Sequence, residues 1–372
     1  ALLTRQLTHG VHEPQTYEEA MNSPHRKEWL KAIVNEIESL IKNGTWKKVN
    51  QPRDGSQVIG CRWVFKVKLT ATGEIEKIKA RLVAQGFRQI QGLSYNETYA
   101  PVARLTSILM IIAIANKWKC KLYQLDFVTA YLNGDIDTTI HMKQPPGYDD
   151  KSGKVLLLLK GIYGLKQAGK LWNEKLNKFL TTELGFKRLK ADQCIYILKA
   201  KSDRCTVGLY VDDSPYCSTN ERLRKEVLFR IKQRFELSDL GLLSWFLGMG
   251  IVQDDSGISV NQTRYAEQML KRFGIDQDTH HRDTPHIPNK YYTKSMAPEP
   301  NSEEEREMKL KLPRINELNG CVLYLTNTRH DIRWIVGHLS RFTSNPGFEH
   351  YKGYKHLLRY IAGTLKRGIH FS

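Results

Sequence analysis

The sequence predicts an α+β fold. Strand-like and helix-like stretches are interleaved along 372 residues, without the regular strand–helix–strand repeat of a doubly wound sheet. Two short strand-like runs, 122–126 and 206–211, each lead into acidic residues. An apolar fraction of 41%, with 17 Tyr, 12 Phe and 7 Trp, supplies a sizeable core and excludes wholesale disorder. A chain of this length is expected to form two or three packed units.

Residues 1–16 are polar and read as loose. Residues 17–43 read as one helix, because Trp29, Ile33, Ile37, Leu40 and Ile41 recur at helical spacing and Gly44 stands at a C-cap position. Residues 57–69 alternate as a strand, Thr72-Gly73-Glu74 supplies a turn, and 75–84 returns, giving a basic hairpin. Residues 106–115 form an apolar helix. Residues 121–126 form a strand leading into a short helix from Ala130. A buried strand follows at 155–159, then a helix at 168–184 with Leu171, Trp172, Leu176 and Phe179 on one face.

Strands at 194–198 and 206–211 precede a basic amphipathic helix at 221–235. Residues 245–252 and 258–260 form a hairpin before a helix at 263–273. Residues 285–313 are rich in proline and carry the acidic run Glu303-Glu304-Glu305-Arg306-Glu307, the composition of a flexible linker. Helical segments near 318–343 and 347–362 come next. The strand-like Gly368-Ile369-His370-Phe371 is expected to open another unit.

Lys and Arg number 57 against 39 Asp and Glu, a formal net charge of +18. The cations are spread and lie beside aromatics, as in Arg62-Trp63-Val64-Phe65-Lys66-Val67-Lys68. That pattern suits an extended track for phosphate backbones better than a membrane patch. The longest apolar run, 108–115, is too short to span a bilayer, and the first residues lack signal-peptide order. None of the six cysteines has Cys-x-x-Cys spacing, which argues against zinc and for a reducing compartment. No Gly-x-Ser-x-Gly elbow, Walker loop or His-Glu-x-x-His helix is present. His280, His281 and His286 flank the linker and read as solvated.

The most informative stretch is Tyr210-Val211-Asp212-Asp213. Adjacent carboxylates repel unless a cation sits between them. Asp212-Asp213 alone is an ordinary hairpin turn. Together with Asp126 at the end of a second strand, it fits a site for a pair of Mg²⁺ ions about 3.5–4 Å apart. Mg²⁺ prefers hard oxygen ligands shared between carboxylates and substrate phosphates.

These residues carry a family resemblance. Tyr-Val-Asp-Asp, Gln124-Leu125-Asp126 with Ala130-Tyr131-Leu132-Asn133-Gly134, and Tyr163-Gly164-Leu165-Lys166-Gln167 resemble the reverse transcriptase of copia-type LTR retrotransposon polyproteins. So do 79–87, 99–104, Phe246-Leu247-Gly248, 339–342, Asn345-Pro346 and 358–364. Each motif is weak alone; their order and spacing together are specific, over nearly the whole chain.

The resemblance implies a right-hand polymerase fold with an antiparallel palm sheet. It implies fingers over 17–120, a palm over 121–257 with a finger insertion near 139–160, and a thumb over 258–367 containing the linker. Residues 368–372 would start a downstream RNase H unit. It implies RNA-directed DNA polymerase activity, a nucleotidyltransferase using two Mg²⁺ ions, with Mn²⁺ as a substitute. Asp126, Asp212 and Asp213 would be the catalytic metal ligands. Lys66, Lys79, Arg81, Tyr131, Tyr163, Gly164 and Gln167 would meet the dNTP, with Tyr131 as steric gate against ribonucleotides. Tyr210, Phe246, Leu247 and Gly248 would meet primer and template. The partners implied are an RNA or DNA template with annealed primer, dNTPs, and RNase H and integrase units of the same polyprotein. The implied location is a cytoplasmic virus-like particle or the nucleus, with no membrane.

Three departures favour a rival reading, a degenerate or domesticated fold that binds nucleic acid without catalysis. Pro215 follows the acidic pair where relatives continue an apolar strand, and proline cannot donate a ladder hydrogen bond. The stretch 319–322 and His330 also depart from the family pattern.

Overall fold

A computed structural model describes residues 12–53, 55–69, 75–275 and 280–372. The chain divides into two compact units: the residues up to Arg104 with Gln124–Leu240, and Leu105–Tyr123 with Gly241–Ser372.

The first unit opens with α1 (Tyr17–Met21) and α2 (Arg26–Lys42). The expected single helix is interrupted at 22–25, where Pro24 has no N–H and the Ser23 hydroxyl donates to the Ala20 carbonyl. Helix α2 buries Trp29, Ile33, Ile37 and Leu40, whereas Ile41 is 64% exposed. Residues 12–16, expected to be loose, are tied down: Glu13 pairs with Lys66 at 2.6 Å and accepts from the Val67 amide.

Strands β1 (Trp46–Val49), β2 (Val58–Ile59), β3 (Cys61–Leu69) and β4 (Ile75–Ala84) follow. Strands β3 and β4 form the expected antiparallel hairpin; its turn at 72–74 lies outside the described residues. Trp63 opposite Leu82 and Phe65 opposite Ala80 form its buried face, in one core with α2. Strands β6 (His141–Met142) and β7 (Val155–Leu158) join β1 and β2 in a sheet of order β1-β7-β6-β2.

The main sheet has six strands in the order β12-β5-β11-β10-β9-β8. They are β5 (Leu122–Phe127), β8 (Lys187–Arg188), β9 (Ile195–Ala200), β10 (Asp203–Gly208), β11 (Asp213–Ser218) and β12 (Leu237–Leu242). The β8–β9, β9–β10 and β10–β11 ladders are antiparallel. Helix α4 (Ala168–Lys178) runs on into a π turn over Phe179–Glu183, and α5 (Glu221–Arg234) follows β11.

The expected strand 206–211 ends early, at Gly208, and the chain turns at 211–212. Strand β11, unforeseen because of Pro215, lies inside the sheet. Its register with β10 runs from Cys205–Ser218 to Val207–Tyr216, stopping just short of Pro215. The same register resumes at the Tyr210–Asp213 bridge, so the proline, which has no N–H to donate, sits at an interruption in the hairpin's pairing.

The second unit contains α3 (Leu105–Lys117) and a sheet of order β13-β14-β15-β16. Its strands are β13 (Trp245–Phe246), β14 (Met249–Asp254), β15 (Gly257–Asn261) and β16 (Gly368–Phe371). Strand β16, read from sequence as the opening of another unit, pairs antiparallel with β15. Helices α6 (Thr263–Arg272), α7 (Glu303–Leu325), α8 (Arg333–Ser340) and α9 (Phe348–Gly363) build its core. The expected linker 285–313 is helical from Glu303. Ser302 caps α7 by accepting from the Glu305 amide at 3.1 Å, and the acidic run fills the first turn, where the helix dipole favours it.

Candidate active site

The carboxylate motif forms the tip of the β10–β11 hairpin. Tyr210 N–H donates to Asp213 O at 2.8 Å and Asp213 N–H donates to Tyr210 O at 3.1 Å, closing a two-residue turn of Val211 and Asp212. Val211 has φ 63°, an unfavourable conformation for a β-branched residue and the one a type II′ hairpin turn needs at its first central position. Strain of this kind persists only where the surroundings hold it. Here the Trp172 indole Nε1 donates to Val211 O at 2.8 Å, and Phe127 N–H donates to Asp212 O at 3.1 Å.

The second of these bonds ties the residue after Asp126 to Asp212. Both aspartates line one cleft of about 390 Å³, together with Lys79, Arg81, Tyr163 and Glu36. Asp213 lies elsewhere in this arrangement. It is not among the residues lining the cleft, and its Oδ1 accepts from Gln124 Nε2 at 3.2 Å. Among the described residues no group of three His, Cys, Asp or Glu side chains is poised around one point. Asp212 sits in the turn and Asp213 opens β11; of the three expected ligands, Asp126 and Asp212 are the two that line this cleft. A pair of hard oxygen donors still fits Mg²⁺, which commonly takes one or two carboxylates and completes its shell with water and substrate phosphates.

The hairpin supplies the cations. Lys79 and Arg81 stand two apart on β4 and both line the cleft. Lys66, opposite Lys79 in the register, is instead paired with Glu13 and is not a lining residue. The Arg81 guanidinium lies 4.8 Å from the Tyr163 ring centroid. Tyr131 rides on a short 3₁₀ turn, Ala130–Asn133, reached through Thr129 at φ 51°, and its ring meets Tyr163 edge-on at 4.8 Å. Burial raises both phenols above their ordinary pKa. The Asp212 charge adds to the rise and the Arg81 charge opposes it. Both rings therefore feel the site electrostatically and stay protonated at neutral pH.

Gly164 and Gln167 are both engaged by neighbouring segments of the chain. A Cβ on Gly164, whose φ is 90°, would lie 2.2 Å from the Ala84 carbonyl oxygen. The close backbone approach to β4 requires glycine here. Gln167 is 1% exposed, and its amide is engaged by Ser94, Thr138 and Gln89.

In the second unit, Leu247 (φ 47°) and Gly248 (φ 74°) form the two-residue turn between β13 and β14. The Tyr324 hydroxyl donates to Leu247 O at 2.6 Å, and a Cβ on Gly248 would meet that hydroxyl at 2.4 Å. Phe246 is a core residue at 1% exposure, while Trp245 is 40% exposed. Trp172, Glu36 and Tyr324 all lie on helices. Nothing in periodicity distinguishes a buried indole that donates to a distant turn.

The family model described as reverse transcriptase (RNA-dependent DNA polymerase) matches residues 43–288. The Retrovirus-related Pol polyprotein from transposon TNT 1-94 of Nicotiana tabacum is 34% identical over 357 residues, covering 95% of this chain and 26% of that protein. The corresponding polyprotein from transposon RE1 of Arabidopsis thaliana is 34% identical over 360 residues, covering 96% of this chain and 24% of that protein. The chain thus spans about a quarter of the length of these curated relatives. A foamy viral protease–reverse transcriptase solved with double-stranded DNA aligns with 91% of this chain and 48% of its own. The TM-score is 0.48 at 11% identity. The family match and the polyprotein relatives agree with the motifs around Asp126 and Asp212: this chain belongs to the reverse transcriptase (RNA-dependent DNA polymerase) family, in the copia-type retrotransposon branch.

Proposed function

We propose that the chain is an RNA-directed DNA polymerase that extends a primer 3′-hydroxyl with dNTPs on an RNA or DNA template. The observation that carries this reading is the shared cleft of Asp126 and Asp212, faced by Lys79 and Arg81. A bond forms between the primer 3′ oxygen and the α-phosphorus, and the α–β phosphoanhydride breaks to release pyrophosphate.

Lys79 and Arg81 bind and orient the anionic triphosphate, as cations closing over phosphates do. Arg81 is held in place by its stacking on Tyr163. Tyr131 packs under the sugar and excludes a 2′-hydroxyl. Asp126 and Asp212 would hold divalent cations, Mg²⁺ with Mn²⁺ as substitute. When bound, such ions supply charge stabilisation at the attacking and leaving oxygens. Asp213 braces the turn through Gln124. Tyr210 and the Leu247–Gly248 turn contact primer and template.

The chain works beside RNase H and integrase units of one polyprotein, within a cytoplasmic particle or the nucleus. No helix among the described residues is long and apolar enough to cross a membrane.

Primer extension on an annealed RNA template with dNTPs and Mg²⁺, beside the Asp212→Asn protein, tests the reading. Extension by the wild type that is lost in the variant supports it. Tight, salt-sensitive template–primer binding without extension would favour the binding-only reading that Pro215 raises.

A further inference from the structure

We propose that Glu36 of α2 is a positioning residue for the nucleotide site, tethering the free edge of β4 so that Lys79 and Arg81 face the cleft. This rests on reading the cleft as the nucleotide site.

Strand β4 belongs to a two-stranded sheet, so one of its edges has no strand partner. The register identifies which amides point that way. Gln85 N–H donates to Gly60 O at 2.8 Å, so bonded and non-bonded pairs alternate from there up the hairpin. Ala84 and Leu82 fall at non-bonded pairs, opposite Cys61 and Trp63, and send their N–H groups away from β3. Both of these amides find an acceptor outside the sheet. Ala84 N–H donates to Tyr163 O at 2.8 Å, and Leu82 N–H donates to Glu36 Oε1 at 3.2 Å.

The Glu36 acceptor is a side chain reaching from a helix. It lines the same cleft as Asp126 and Asp212. The residues it brackets on β4 are the cations: Arg81 immediately before the tethered amide, and Lys79 two residues earlier. Both act electrostatically on the Glu36 carboxyl. An edge strand left untethered frays, and an amide left without its acceptor is destabilising out of proportion to the bond itself. The tether needs only an acceptor oxygen, not a charge. Burial raises the Glu36 pKa above the ordinary glutamate range, which fits a role the neutral acid can also fill.

Two substitutions of similar volume separate this from a packing role. Glu36→Gln keeps an acceptor oxygen. Glu36→Met removes it, with Glu36→Ala as a second non-acceptor variant should Met disturb the fold. Two readouts are taken on the full chain: amide hydrogen exchange across β4, and kcat and KM for dTTP on a primed RNA template. Loss of the acceptor should speed β4 exchange and raise the dTTP KM, each about tenfold, with kcat and template–primer affinity within about twofold. Gln should restore both. Unchanged exchange in the Met and Ala variants, an unchanged KM despite faster exchange, or a Gln variant as impaired as Met would each overturn the proposal. Absence of extension by the wild-type chain would overturn the polymerase reading instead, and the exchange data would then judge the tether alone.

Discussion

The indole Nε1 of Trp172 donates a 2.8 Å hydrogen bond to the carbonyl oxygen of Val211, the residue whose φ of 63° opens the turn carrying Asp212. The ring is itself fixed by edge contacts to Phe127 and Phe235, at 5.1 and 5.4 Å. A helix residue thus braces a strained turn whose next residue is half of the carboxylate pair. Trp172→Phe keeps an aromatic ring and removes the donor. It should lower stability by about 1–2 kcal/mol and slow extension on the order of ten- to a hundredfold through displacement of the turn. Urea midpoints and single-turnover rates would show this. A variant with wild-type rate would mean the turn holds without its brace.

Asp212→Asn leaves the turn backbone intact and removes one charge from the cleft. Extension should fall by at least on the order of a hundredfold. Template–primer binding at fixed salt should hardly change, because phosphate contacts elsewhere dominate it. Parallel loss of binding and extension would argue that the aspartate is structural.

Replacing Tyr131 with Val should raise ribonucleotide incorporation relative to dNTPs while leaving the Tyr163–Arg81 stack in place. Competition assays on one template read the ratio directly. An unchanged ratio would remove Tyr131 as the gate.

Gly164→Ala sets a Cβ 2.2 Å from the Ala84 carbonyl oxygen at a φ of 90°. Neither the strain nor the clash can be relieved without moving β4. The loss in stability should exceed about 1 kcal/mol, and β4 amides should exchange faster. A variant as stable as wild type would show that this crossing yields easily.

The pH dependence of stability should carry the signature of Glu36. Burial lifts its folded-state pKa above the unfolded value, and the Leu82 amide, Arg81 and Lys79 only partly oppose this. Between those two values the folded chain holds more of the proton than the unfolded one. The contribution is fully present below the unfolded pKa and is lost as pH rises through the raised folded pKa. Glu36→Gln has no such loss, so its stability relative to wild type should improve as pH rises from about 4, near the unfolded glutamate value, through the raised folded-state value. Urea midpoints that stay parallel across that range would contradict the assignment.

Local pattern determined much of this protein. Helical spacing marked α2, α4, α5 and α6, and alternation with a basic composition marked the β3–β4 hairpin. The order of short motifs identified the family and nominated Asp126, Asp212, Lys79, Arg81, Tyr131 and Tyr163 as candidate site residues. These signals are legible because a core-facing stripe or a charged strand is written in consecutive residues. Local pattern also misled where a rule had a second solution. Pro215 argued against a strand that exists because the hairpin's pairing is interrupted at the proline and resumes at Tyr210–Asp213. The acidic run at 303–307 read as a linker although it is a helix's first turn.

Tertiary structure decided the rest. It set the Asp213 carboxylate against Gln124 and paired Lys66 with Glu13. It buried Gln167, and it turned Gly164 toward Ala84. It also supplied the Trp172 and Glu36 contacts. Each depends on which atom of a distant segment arrives within hydrogen-bond reach. That is set by how helices pack on strands, and no window of neighbouring residues contains it.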